Sequence, residues 1–148
     1  MKIIVEKDDN IKSDEIIIRC NNDNYMAKEI EDYIQSINNC NISFFKKDHE
    51  YFININDIIF FETDINSISA HTINDVYCVK YKLYELEQIL PNNFIRVSKS
   101  TIININHIYS INKNITSPSI IEFNKTHKKI FVSRFYFKNL KEKMKEKR

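Results

Sequence analysis

Not one glycine occurs in the 148 residues of this chain, and that absence removes whole classes of fold and chemistry. Without glycine there is no phosphate-cradling Walker A loop, no G-x-G-x-x-G dinucleotide turn and no G-x-S-x-G nucleophile elbow. Reversals that need a positive φ should fall to asparagine, the next most tolerant residue. Asparagine is abundant, as are isoleucine and lysine; codons rich in A and T produce the same bias, so the enrichment alone points to no function.

Hydrophobic residues make up 43% of the chain, enough to build a core, and the length suits one ordinary domain with a smaller appendage. No apolar run reaches the length of a membrane span. The opening MKIIVEKDDN acquires acidic charge too early for a secretory signal, so a cytoplasmic protein is expected. From residue 42 onward short β-branched and aromatic runs follow one another: ISFFKK, EYFINI, DIIFFET, SISAHT, DVYCVKY, FIRV, STIIN, HIYSIN, SIIEFN and KKIFVS. Turn signals such as KDH, DIN and IND separate them. KLYELEQIL breaks the rhythm with helical spacing at Leu83, Leu86 and Leu90 before Pro91. RFYFKNLKEKM, with Phe135, Leu140 and Met144 near one stripe, reads as a closing helix. This pattern predicts a mostly β, α+β chain, an antiparallel β-sandwich carrying small helices. Residues 1–41 read as a separate β-β-α unit, with strands in KIIVEK and EIIIRC and a helix in DNYMAKEIEDYIQSI, N-capped by Asp23 or Asn24. Residues 42–148 form the main domain, and no internal repeat stands out.

Catalytic and metal chemistry find little to work with. The three cysteines, Cys20, Cys40 and Cys78, make no CxxC pair and are expected to be small buried side chains. The four histidines are scattered, so neither a metal site nor a cofactor is expected. Asp57, Glu62 and Asp64 read as the solvent face of a strand. Ser98 with His107 or His71 lacks an orienting third group. The expectation is a protein that is not an enzyme and takes no small-molecule substrate.

Charge is more specific. Residues 1–40 hold five basic and nine acidic side chains, residues 41–93 four and eight, and residues 94–148 thirteen and three. Such polarity points the last third toward an anionic partner. The terminal KEKMKEKR reads as a solvated tail. Arg96 and Lys99 in FIRVSKSTIIN, Lys125, Lys128 and Lys129 in FNKTHKKIF, and Arg134 lie instead among strand signals. If neighbouring hairpins bring these corners to one edge, they form a basic ridge of loop tips able to hold phosphates and read base edges.

Residues from about 43 to 143 resemble a LytTR-type DNA-binding domain, a module of bacterial regulators of virulence, competence and bacteriocin genes. DIIFFET is similar to that family's D-I-x-y-I/F-E strand. AHTINDVYCVKYKLYELEQIL resembles its H-T…L-x-x-L-E-x-x-L stretch. NNFIRVSKSTIININHIYSI resembles F-x-R-[VC]-H-[RNK]-S-x-[IV]-V-N-x-x-x-I-x-x-I, and IFVSRFYFKNLKEKM resembles [VL]-S-R-x-[YF]-x-x-x-L-K.

The resemblance implies a β-sandwich whose loops, rather than a recognition helix, enter successive major grooves of double-stranded DNA. Contacts would then come from Lys99, from Arg134 in the S-R motif and from the loop around Asn66. Ser98 replaces the family's usual histidine and forfeits an imidazole donor, while Ser100 and Ser133 keep the pattern and could bond phosphate or cap adjoining structure. Asn104 reads as a structural turn former, and His71 ranks below Lys99 and Arg134. The resemblance is to stand-alone regulators without a receiver domain, which implies a homodimer on direct repeats about one helical turn apart and a small membrane-protein inhibitor. The alternatives are an RNA-binding module or an interaction module that binds no nucleic acid.

Overall fold

The computed structural model describes residues 4, 10, 16–21, 25–39, 41–113 and 116–147. Its elements run α1 (Tyr25–Asn39), β1 (Phe44–Lys46), β2 (His49–Tyr51), β3 (Phe60–Thr63), β4 (Ile68–His71), β5 (Val76–Val79) and α2 (Leu83–Ile89). Then come β6 (Phe94–Ser98), β7 (Thr101–Asn104), β8 (Ile108–Asn112), β9 (Ser119–Phe123), β10 (Lys129–Val132) and α3 (Arg134–Lys147). Each of the ten strand-like runs downstream of residue 42 thus forms a strand, and the three helical runs form helices. All strand pairs are antiparallel. Seven strands make one sheet in the order β2-β1-β5-β4-β3-β7-β6, and β10-β9-β8 make a second.

The middle of the large sheet is covered on both faces, which is why its strands lack polar alternation. Phe60 and Phe61 are adjacent and point to opposite sides. Phe61 joins Ile102, Val79, Leu83 and Leu86 in the core under α2. Phe60 joins Ile103, Val97, Ile121, Val132 and Leu140 in the core between the large sheet, the second sheet and α3. Each such side chain contributes roughly 1.5–3 kcal/mol by leaving water, so β3 and β7 tie the layers together.

Two 3-10 turns lead into strands. Ile55–Asp57 precedes β3 and Ile105–His107 precedes β8. Both are written in nearly the same letters, ININDI at 53–58 and ININHI at 103–108, a short repeat that sequence reading overlooked. In each, an asparagine (Asn54, Asn104) caps the turn by accepting the N–H two residues on, from Asn56 and Asn106. The turns also touch, His107 Nε2 lying 2.7 Å from Asn56 O.

Several expectations need correction. Positive φ among the described residues falls on Lys47 (55°) and Lys125 (60°), not on asparagine; a lysine is held there at a cost of roughly 1–2 kcal/mol. Asparagine's short amide is used instead to cap, which demands no unusual φ. Ile16–Cys20, expected as a strand, lies outside any strand with its side chains exposed, and no strand pairing involves it among the described residues. Most of KIIVEK, the N-cap candidates of α1 and Cys40 fall outside the described residues. Cys20 is exposed and Cys78 half-buried, so neither is the sealed side chain expected. Phe135 is 82% exposed; the stripe of α3 that faces the core runs through Phe137, Leu140 and Met144.

Candidate nucleic-acid interface

Strand direction decides which loops share an end. β3 and β6 finish at the end where β4 and β7 begin, so the turns Asp64–Ser67 and Lys99–Ser100 emerge together. A direct hydrogen bond joins them, Thr63 N–H donating to Ser100 O at 2.8 Å. The second sheet adds its own end to the row. Ser133 N–H donates to Val97 O at 2.9 Å, next to the last residue of β6, and Arg134 Nη2 donates to Thr116 O, between β8 and β9, at 3.1 Å. Asn66, Lys99, Ser100, Ser133 and Arg134 therefore lie along one rim. With strands about 4.8 Å apart, the β3–β4 and β6–β7 turns sit two strands, or about 10 Å, from each other. A major groove is about 12 Å wide.

The Lys99–Ser100 turn is a two-residue hairpin with neither residue at positive φ, an unusual choice where glycine or asparagine normally supplies the primed turns. Its stability comes from Arg96. The guanidinium donates Nε–H to Ser98 O at 3.0 Å and Nη2–H to Lys99 O, while Nη1 pairs with Glu87 on α2 at 2.8 Å. A register shift between Arg96 and Ser98 accompanies this clamp. Ser98 Oγ accepts Ser100 N–H at 3.2 Å and lies 3.3 Å from Ser100 Oγ. Arg96 and Ser98 are thus occupied in shaping the turn, and Lys99 is presented at its exposed tip. Arg134 opens α3, where a cation opposes the positive end of the helix dipole. Ser133 O accepts the N–H groups of Tyr136 and Phe137, and Ser133 Oγ is buried with no hydrogen-bond partner among the described residues.

The second basic corner does not join this rim. β9 ends and β10 begins at the opposite end of the strands, so Lys125 and Lys128 lie there, beside the β4–β5 turn. Lys128 Nζ donates to Thr72 O at 2.8 Å and approaches Asp75 O at 3.4 Å; burial lowers its pKa. It ties two loops together. Lys125 is exposed at its positive-φ position. An odd or even count of short strands decides which end a loop occupies, and charge density along the chain carries no such parity. The same parity brings further cations to the rim, two of them from the acidic middle third. Lys80 and Lys82 follow β5, whose last residue pairs with the first of β4, and Lys113 follows β8. All three are exposed. Lys80 Nζ also lies 4.4 Å from the centre of the Phe45 ring.

His71 is half-buried, stacked on Phe60 with centroids 4.1 Å apart, and its Nδ1 has no hydrogen-bond partner among the described residues. Burial first, and then the charge of Lys128, push its pKa down to about 4. It is neutral at pH 7, so its 3.7 Å approach to Glu62 is not an ion pair. A folded pKa below the unfolded value near 6.5 means that the unfolded chain binds the extra proton first. Stability should fall as pH drops from 7 toward 4, by about 2–3 kcal/mol. Urea midpoints at pH 7 and 4.5 check this: His71→Phe should flatten the slope, and an unchanged slope would remove His71 from the acid response.

Residues 48–145 match the family model described as the LytTr DNA-binding domain. Uncharacterized HTH-type transcriptional regulators of Staphylococcus aureus strains MSSA476 and N315 are each 34% identical over 129 residues, spanning 80% of this chain and 85% of the relative. A solved LytTr DNA-binding domain from Bacillus cereus shares the fold, with a TM-score of 0.64 at 22% identity over 70% of this chain and 95% of that one. The helix-turn-helix in the relatives' description has no counterpart among the described residues here, since five strands separate each helix from the next.

Proposed function

The chain belongs to the LytTr DNA-binding domain family, and from that premise we propose that it is a sequence-specific double-stranded DNA-binding transcriptional regulator that reads the major groove with the turns of its rim. The observation that carries this reading is the pair of hydrogen bonds, Thr63 to Ser100 and Ser133 to Val97, that gathers the Asn66, Lys99 and Arg134 tips at one end of the sheets. Lys99 and Arg134 supply charge and guanine-directed donors, Asn66 an amide suited to adenine, and Ser100 a hydroxyl for phosphate. Arg96, Ser98 and Ser133 hold these groups in place. Lys80, Lys82 and Lys113 extend the positive row for backbone contact.

Two copies on direct repeats one helical turn apart would place both rims on one face of the duplex. Residues 1–41 then form a regulatory unit for self-association or for docking to a small membrane-protein inhibitor. The placement of α1 suits this role: Tyr25 donates its hydroxyl proton to Glu146 O at 2.7 Å, at the end of α3 remote from the rim. A chain beginning at residue 42 with undiminished self-association and inhibitor binding would rule the role out.

An RNA reading draws on Tyr109 and Phe131, 74% and 63% exposed on β8 and β10, since exposed strand aromatics stack on unpaired bases. Anisotropy titrations against duplex DNA, single-stranded DNA and RNA over a salt series separate the two. The duplex should win, with log affinity falling against log salt by about 0.9 for each phosphate neutralised. Tighter binding to either single strand would overturn the proposal.

A further inference from the structure

The tip between β3 and β4 carries a residue that turn chemistry does not call for. Asp64 N–H donates to Ser67 O at 2.8 Å, and Asp64 Oδ1 accepts Ile65 N–H at 2.8 Å. The reversal is therefore fixed by its own hydrogen bonds. At its apex stands Ile65, 92% exposed, where asparagine, aspartate or glycine would ordinarily be found. Single exposed apolar side chains are common on protein surfaces. This one is β-branched and stiff at χ1, stands next to Asn66, and shares the rim with Lys99 two strands away.

Cations and amides on the rim can serve phosphates and the hydrogen-bonding edges of bases. They do not recognise the one apolar group that the major groove displays, the 5-methyl of thymine. We infer that Ile65 is a specificity-determining residue that packs against a thymine methyl in the major groove. The inference rests on the DNA-reading function proposed above and adds a base identity to it. A rim that only gripped phosphates would have no use for isoleucine at this apex, since its side chain offers no donor.

The test uses the full chain and the tightest duplex recovered by binding-site selection, with each thymine replaced in turn by uracil. That exchange deletes the methyl and leaves every hydrogen-bonding group in place. The wild-type chain should lose affinity at one or two positions by about fourfold, the loss expected for one buried methyl. Ile65→Ala should show the same deficit on the thymine duplex and no further loss on the uracil duplex. Ile65→Val should keep the discrimination. Phe131→Ala, which removes an exposed aromatic from the second sheet, should match wild type throughout. Uracil sensitivity that persists undiminished in Ile65→Ala, or that is absent from wild type, overturns the assignment and leaves salt-dependent duplex binding intact. A chain that binds no duplex overturns both this inference and the function beneath it.

Discussion

Exchanging Lys99 and Arg134 together for alanine should weaken duplex binding by about 2–6 kcal/mol, on the scale of 1–3 kcal/mol for each lost contact, and should leave the fold unharmed. Neither side chain holds the structure together. Among the described residues no hydrogen bond or ion pair engages the Lys99 ammonium, and Arg134 makes a single bond, to Thr116 O. Removing the cation from the first turn of α3 relieves a repulsion with the helix dipole of a few tenths of a kcal/mol. The unfolding midpoint should thus stay level or rise slightly while affinity collapses. Lys125→Ala should leave both unchanged. Lys128→Ala should cost about 1 kcal/mol of stability through its lost bonds to Thr72 and Asp75, and should spare DNA binding. Anisotropy paired with urea denaturation reads these three variants and the single Lys99→Ala. Equal losses of affinity in Lys125→Ala and Lys99→Ala would dissolve the rim as the binding surface.

Asn104→Leu should be the mirror case, with stability lost by about 3–5 kcal/mol through a side chain that never meets solvent. Asn104 is fully buried. Its Oδ1 accepts from Asn93 Nδ2 at 2.8 Å and from Asn106 N–H at 3.1 Å, and its Nδ2 donates to Ile58 O at 3.0 Å. One amide therefore joins the entry to β6, the 3-10 turn after β7 and the backbone just before β3. Leucine fills the space but leaves the buried Ile58 O without its donor and the part-buried Asn93 and Asn106 groups without their acceptor; a buried group left unsatisfied costs about 1–3 kcal/mol. Against a typical total of 5–15 kcal/mol, that is a large share. Asn54 occupies the same place in the other copy of the repeat but is exposed and caps Asn56 alone. Asn54→Ala should cost about 1 kcal/mol or less. Circular dichroism during urea titration measures both, and similar losses at the two positions would show that the cap, not the buried network, sets the effect.

Most of the architecture was legible because its signals are local. Runs such as DIIFFET and STIIN are apolar, β-branched and bounded by turn formers, and KLYELEQIL has a period no strand could use. What escaped depends on relations between distant segments. FNKTHKKIF and FIRVSKS carry the same kind of charge, yet strand direction sends them to opposite ends. Arg96 was legible as a cation beside Lys99, but its engagement with Glu87 depends on α2 folding back over the sheet. Ile16–Cys20 shows the converse limit: IIIRC has the composition of a strand and no strand partner among the described residues. The resemblance to a known family singled out Lys99, Arg134 and the loop around Asn66, which lie on one rim, a grouping that charge counting could not give.

The strands that carry the rim are only four or five residues long, and in β3 and β7 successive side chains belong to different cores. A slip of one residue would exchange those cores wholesale, so the tips have no freedom to migrate. On the proposed reading, new operators are acquired by exchanging letters at fixed positions, Ile65, Asn66, Lys99 and Arg134 among them, while the frame beneath stays still. Divergent regulators built on this frame should differ in which bases they prefer far more than in where, along the groove, they touch them.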